Sequence, residues 1–117
     1  MNILILINDS PYGTERAFNA LRLARALQME HPAAHVRIFL LSDGVTCSLP
    51  NQIRPEGSSN IEQLLKDAVG AGAEIKACIT CIDHRGLFGL PLVEGIEHGN
   101  MANLAEWVVE ADRVLNF

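Results

Sequence analysis

Asn2-Ile3-Leu4-Ile5-Leu6-Ile7 places five unbroken aliphatic residues near the start of the chain, and this stretch decides the fold class. Strands with one face in water alternate apolar and polar residues, whereas strands covered on both faces are apolar throughout. Parallel sheets with helices on both sides contain strands of the second kind. The stretch therefore predicts a strand inside the sheet of an α/β protein.

Helical and strand patterns alternate along the rest of the chain. A helix is predicted to follow Thr14, which can cap it, and to stop before Pro32, because a proline disfavours helical geometry in the residue preceding it. A second helix is predicted from the capping box Ser59-Asn60-Ile61-Glu62. Asn100 can cap a last helix, whose predicted inward residues are Met101, Leu104, Ala105 and Val108. The further strands are predicted at 36–41, 73–78, 92–96 and 113–117.

This order of elements predicts a three-layer α/β/α architecture with a mostly parallel sheet of about five strands. A chain of 117 residues has the length of one domain, so we expect a single domain over 1–117. The segment 48–59 contains two prolines and one glycine and is predicted to be a polar loop that either moves or packs against a neighbouring subunit.

Composition excludes several classes of function. The net charge of −5 disfavours a broad phosphate-binding face, so no direct contact with nucleic acid is expected. No apolar run approaches the roughly 20 residues of a membrane span, and no secretory signal is recognised, so we expect a cytoplasmic protein without membrane contact. Three cysteines in such a chain are expected to be free thiols.

The thiols of the third strand are the main candidates for chemistry. Cys78 is predicted at the carboxyl end of that strand, where Lys76, His84 and Arg85 would favour its thiolate. Cys81, three residues later, could resolve a persulfide on Cys78 by forming a disulfide. A proton shuttle is one role for His84, and an ordinary surface position is the other.

The carboxyl ends of parallel strands line the ligand crevice of an open α/β sheet. Asp9 and Asp43 follow the first two strands, and with Tyr12 and Lys76 they are predicted to form a rim near the thiols. We expect these four residues to bind a ligand rather than to act as catalysts.

Other interpretations of these residues stay open or fail on detail. Free cysteines are often buried apolar residues, and this is the prediction for Cys47, which lacks basic neighbours. Cys78, Cys81, His84 and His98 have a spacing that permits metal ligation, but without the knuckle or helix of a structural zinc site. A thioredoxin-type pair would open a helix, and no helical periodicity follows Cys81. We therefore expect no metal ion and no cofactor.

The element order and four motifs resemble the DsrE/DsrF-like family, and most closely its small YchN-like branch. The motifs are Ser10-Pro11-Tyr12-Gly13, Leu41-Ser42-Asp43-Gly44-Val45-Thr46, Lys76-Ala77-Cys78-Ile79-Thr80-Cys81 and Asp83-His84-Arg85-Gly86. The resemblance covers nearly the whole chain, including the closing residues 111–117. It implies a three-layer fold and a hexamer built from two trimers.

In sulfur-relay members of this family, a cysteine seven residues before an Arg-Gly pair carries sulfur as a persulfide. Cys78 stands seven residues before Arg85-Gly86, so the resemblance assigns this role to Cys78. The chain departs from those members at Cys81, where they carry a small apolar residue. The resemblance thus implies a sulfur carrier or sulfurtransferase with donor and acceptor protein partners. The alternative is a homo-oligomeric scaffold or small-ligand-binding protein without catalytic activity.

Overall fold

Five parallel strands and four α-helices make up the computed structural model, which describes residues 1–117. The strands are β1 (Asn2–Ile7), β2 (His35–Leu40), β3 (Glu74–Cys78), β4 (Ile96–Gly99) and β5 (Arg113–Asn116). The helices are α1 (Arg16–Glu30), α2 (Ile61–Gly70), α3 (Ile79–His84) and α4 (Met101–Glu110), and a 3₁₀ segment spans Ser42–Ser48. The alternation of strands and helices follows the predicted order.

The strand order is β4-β3-β2-β1-β5, and every neighbouring pair is parallel. β1 therefore lies inside the sheet, paired with β2 on one side and β5 on the other. Ile5 is fully buried and Leu4 nearly so, although they point to opposite faces, as an all-aliphatic strand requires. The three-layer α/β/α prediction is confirmed.

The two faces of the sheet carry different side chains. On one face Ile38 and Leu40 of β2 are fully buried, and α1 packs there beside α2. The other face carries Phe39, whose ring meets the Trp107 ring of α4 edge-on with centroids 6.0 Å apart. The helix α4 thus packs on the face that carries Phe39 and Lys76. None of the helices is both long and apolar enough to span a membrane.

Helix ends follow local capping chemistry, with two corrections. Glu15 and not Thr14 is the N-cap residue of α1, although the Thr14 hydroxyl accepts the Arg16 N–H at 3.4 Å. α1 ends at Glu30, before Pro32, as predicted. Asn100 caps α4 in a reciprocal pair with Asn103. The capping box at Ser59 is wrong, because Asn60 accepts the Gln63 N–H instead. The predicted partner of the serine, Glu62, accepts the Asn51 N–H and pairs with Lys66.

The 3₁₀ segment Ser42–Ser48 was not predicted, and it is held against the end of β1. The Leu41 N–H donates to the Ile7 carbonyl at 2.9 Å, and the Gly44 N–H donates to the Asn8 carbonyl at 3.0 Å. A Cβ atom at Gly44 would lie 2.0 Å from the Ile7 carbonyl oxygen. Only glycine permits this close approach of the two backbones.

Three further predictions need correction. A strand at 92–96 is wrong except for its last residue, because the Val93 N–H donates to the Ser48 carbonyl and β4 begins at Ile96. Residues 79–84 form α3 where a loop was expected. In α4, Leu104 and Trp107 face the core. Met101, Ala105 and Val108, which were predicted to face inward, are exposed. The broad indole ring against Phe39 fixes the rotation of this helix.

Candidate functional site

Cys78 is the last residue of β3 and the N-cap of α3. Its Sγ accepts a hydrogen bond from the Cys81 N–H at 3.4 Å, so a thiol takes the place of the usual capping oxygen. The residue is only 4% exposed. A thiol that reacts with a donor has to be reachable from solvent, and the protomer gives Cys78 little such access.

Cys81 lies on α3 and is partly exposed. Its Sγ accepts a hydrogen bond from the Ser42 N–H at 3.2 Å. Ser42 has a φ of 52°, a left-handed backbone conformation that is uncommon for residues other than glycine. The first residue of the 3₁₀ segment thus directs its amide to this sulfur. The sequence carried no signal for this contact.

Arg85 joins α3 to the 3₁₀ segment beside the thiols. Its Nη1 donates to the Cys81 carbonyl at 3.1 Å, and its remaining nitrogens pair with Asp43. The structure therefore brings Asp43, Cys78, Cys81 and Arg85 together, as the carboxyl-end rim of a parallel sheet predicts.

The two free cysteines with shifted pKa values differ in their surroundings. Burial raises the pKa of Cys81, and hydrogen bonding with the Cys78 thiol raises it further, while the Ser42 N–H and the Arg85 charge act in the opposite direction. Burial raises the pKa of Cys47 to about 12. Cys47 is 1% exposed and donates to the Asp9 carbonyl, which fits the buried, unreactive thiol predicted for it.

Two predicted basic neighbours of Cys78 point elsewhere. The Lys76 ammonium lies 5.2 Å from the centroid of the Trp107 ring, a cation–π arrangement on the α4 side of the sheet. His84 is exposed in the last turn of α3. Neither side chain hydrogen-bonds to a sulfur, so Arg85 is the cation that the structure places beside the thiol pair.

The other predicted rim residues are engaged away from the thiols. Asp9 accepts a hydrogen bond from the Thr14 hydroxyl at 3.0 Å, and the Tyr12 hydroxyl accepts one from the Ile61 N–H at 3.3 Å. Tyr12 lines a cleft of about 290 Å³ that contains none of the other predicted rim residues. Asp9, Tyr12, Asp43 and Lys76 therefore do not line one common ligand cleft.

The thiols do not form part of a recognisable metal centre. No group of three or more His, Cys, Asp or Glu side chains has the arrangement needed to hold a metal ion. Cys78, Cys81, His84 and His98, whose spacing permits ligation, are consequently not gathered around one point. Cys78 and Cys81 lie at the start of a helix, as a thioredoxin-type pair does. The prediction that no helix follows the two cysteines is therefore wrong.

The sequence pattern of the DsrE/DsrF-like family matches residues 1–117. The chain belongs to this family. It is 44% identical over 115 residues to Protein YchN of Escherichia coli K12, an alignment that covers 98% of this chain and 97% of YchN. The predicted membership and the likeness to YchN are confirmed. The family is associated with sulfur relay in general.

Solved structures give the same result for the fold. The crystal structure of YchN from E. coli superposes with a TM-score of 0.93 at 43% identity, covering 99% of this chain and 98% of that one. MTH1491 from Methanobacterium thermoautotrophicum, described as a protein of unknown function, superposes with a TM-score of 0.81 at 15% identity over 99% of this chain and 98% of that one. The second likeness concerns the fold alone.

Proposed function

We propose that this protein carries sulfane sulfur as a persulfide on Cys78 and passes it to an acceptor thiol. The observation that supports this most is the pairing of two thiols that each accept a backbone N–H. Cys81 N–H donates to Cys78 Sγ, and Ser42 N–H donates to Cys81 Sγ. Hydrogen bonds of this kind stabilise a sulfur when it is an anion, which is its state in thiolates and persulfides.

The proposed transfer needs no external oxidant. In the net loading reaction the Cys78 thiolate gains the outer sulfur of a donor persulfide and the donor leaves as a thiolate, so one S–S bond breaks as another forms. In the net release an acceptor thiolate gains that outer sulfur and Cys78 returns to the thiolate. The donor and acceptor are proposed to be proteins that each present one reactive thiol.

A second release route uses Cys81. Its thiolate can attack Cys78 Sγ in the persulfide, forming a Cys78–Cys81 disulfide and expelling hydrosulfide. A dithiol reductant must then restore the two thiols. Arg85 is proposed to stabilise the anions formed in either route. His84, at the exposed end of α3, is proposed to exchange protons with water.

Intact-mass measurement tests the proposal. The protein is treated with glutathione persulfide, freed of excess reagent and weighed, and then treated with an acceptor thiol and weighed again. We expect a gain of one sulfur that disappears as the acceptor gains it. A Cys47→Ser variant should behave like wild type, and a variant with both Cys78→Ser and Cys81→Ser should gain nothing. No gain in wild type, or an equal gain in the double variant, would contradict the proposal.

A homo-oligomer, specifically a hexamer built from two trimers, forms part of this proposal. Apolar side chains are left on the surface around α4 and the edge strand β5, where Val109 is 86% exposed and Val108 and Val114 are each 44% exposed. Surface of this kind is typical of contacts between subunits. Sedimentation or light scattering should give six times the chain mass, and a monomer would contradict this part.

The alternative is a homo-oligomeric scaffold or small-ligand-binding protein in which the cysteines only pack. The 4% exposure of Cys78 favours this alternative. In that case neither Cys78 nor Cys81 should take up sulfur from glutathione persulfide and pass it to an acceptor thiol, although the partly exposed Cys81 can still be alkylated. The intact-mass measurement therefore distinguishes the two functions.

A further inference from the structure

The two thiols of the pair differ in their access to a donor. Cys78 is 4% exposed, whereas Cys81 is partly exposed and lies beside the Ser42–Ser48 segment and Arg85 at the surface. A persulfide brought by another molecule must place its outer sulfur in line with the attacking thiolate. Direct attack by Cys78 requires the site to open, and attack by Cys81 does not.

We propose, as a step that rests on the proposed function, that Cys81 is the receiving thiol. It takes the sulfane sulfur from the donor and transfers it to the buried Cys78. In the first step the Cys81 thiolate attacks the outer sulfur of the donor persulfide. A new Cys81 S–S bond forms, the donor S–S bond breaks, and the donor leaves as a thiolate. In the second step the Cys78 thiolate attacks that same outer sulfur, and Cys81 leaves as a thiolate.

Contacts at Cys81 suit a sulfur that must leave as an anion in the second step. The Ser42 N–H already points at Cys81 Sγ over 3.2 Å, and the Arg85 guanidinium is anchored to the Cys81 carbonyl. A left-handed backbone is unfavourable for serine and persists where the surrounding structure enforces it. On either side of Ser42, the Leu41 N–H donates to the Ile7 carbonyl and the Gly44 N–H donates to the Asn8 carbonyl, which holds the start of the 3₁₀ segment.

The position of Cys78 suits a thiol that keeps the persulfide between loading and release. Its sulfur is shielded from water and stays under the Cys81 N–H, which is a fixed donor at the start of α3. A persulfide that is kept away from water and from free thiols is protected from premature release. For release, the Cys81 thiolate takes the outer sulfur back from Cys78, and the acceptor thiolate then takes it from Cys81, so neither partner has to reach the buried Cys78.

Loading kinetics test this order of transfer. Wild type, Cys81→Ser, Cys78→Ser and the control Cys47→Ser are mixed with glutathione persulfide, quenched at intervals and weighed. We expect Cys81→Ser to load at least about tenfold more slowly than wild type. Cys78→Ser should still gain one sulfur, now held on Cys81, and should load faster than Cys81→Ser. Loading of Cys81→Ser at the wild-type rate, or no loading of Cys78→Ser, would overturn the inference.

Wild type alone provides a second readout that depends on no substitution. Under limiting iodoacetamide, fragmentation mass spectrometry should find Cys81 alkylated at least about tenfold faster than Cys78. Preferential labelling of Cys78 would overturn the inference. These outcomes are separate from failure of the proposed function, in which neither wild type nor any variant gains sulfur.

Discussion

Arg85 donates to a single carboxylate oxygen of Asp43 from two nitrogens, Nε at 3.0 Å and Nη2 at 2.9 Å. Through its third nitrogen the same guanidinium holds the Cys81 carbonyl. The end of α3 is thereby tied to the 3₁₀ segment that supplies the Ser42 amide. The ion pair thus holds a positive charge beside Cys81. It also fixes the position of α3 relative to the 3₁₀ segment.

Arg85→Gln should slow alkylation of Cys81, because the positive charge that favours its thiolate is lost. Arg85 is partly exposed, so the effect should be about two- to fivefold at pH 8, as for an exposed ion pair worth about 0.4–1 kcal/mol. The measurement is the iodoacetamide rate at Cys81. Arg113→Gln, an exposed arginine on β5, is the matched control and should leave the rate unchanged. An unchanged rate in Arg85→Gln would contradict the assigned role.

The alkylation rate of Cys81 should keep rising above pH 9. Burial and hydrogen bonding with Cys78 raise the pKa of Cys81, so its thiol form persists to higher pH than an ordinary cysteine of pKa about 8.5. Below the pKa the thiolate fraction grows about tenfold per pH unit. The rate of iodoacetamide labelling, measured by mass spectrometry between pH 6.5 and 10, checks this. A plateau below pH 8.5 would show that the pKa is not raised.

Gly44→Ala should destabilise the fold. The added Cβ would lie 2.0 Å from the Ile7 carbonyl oxygen, so the 3₁₀ segment must move away from β1. We expect a loss of about 1–3 kcal/mol or more in the free energy of unfolding, measured by urea titration of the fluorescence of the single Trp107. Gly70→Ala at the end of α2 meets no atom within 4 Å and should be neutral or slightly stabilising. Equal effects of the two substitutions would refute the close approach.

The ionised carboxylate of Glu74 should make the free energy of unfolding depend on pH in acidic solution. Hydrogen bonds from His35 and then from Arg37 lower the pKa of Glu74 below its usual value of about 4.3. Its stabilisation is therefore fully present above about pH 4.3 and is lost as the pH falls through the lower, folded-state pKa. Glu74→Gln should cost about 0.5–1 kcal/mol at pH 7, because the carboxylate is half exposed. The difference between wild type and variant should vanish toward pH 2; a constant difference would contradict the assignment.

The fold could be predicted because its strands carry strong local signals. The aliphatic run at residues 3–7 indicated the interior position of β1, and Asn100 marked the start of α4. Short elements were missed for a physical reason. Ile79, Thr80 and Ile82 in α3 are β-branched and have weak helix propensity, so no helical pattern is visible. Tertiary packing of Ile82, which is 2% exposed, selects the helix instead.

The sequence predicted which residues form the site better than it predicted how their side chains are arranged. Asp43, Cys78, Cys81 and Arg85 meet because parallel strands deliver their carboxyl ends to one edge. The burial of Cys78 could not be predicted, since the 3₁₀ segment that packs against β3 and α3 has no recognisable sequence pattern. Lys76 was expected near the thiol from strand alternation, but its flexible chain turns to the Trp107 ring.

Locating the transferred sulfur in wild type tests the central claim most directly. The protein is loaded with glutathione persulfide labelled in its outer sulfur, freed of donor, blocked with an alkylating reagent and fragmented in a mass spectrometer. The account predicts that the labelled sulfur is found on Cys78 at equilibrium, with Cys47 unmodified. Absence of labelled sulfur from Cys78, whether it sits on another residue or is not taken up at all, would contradict it.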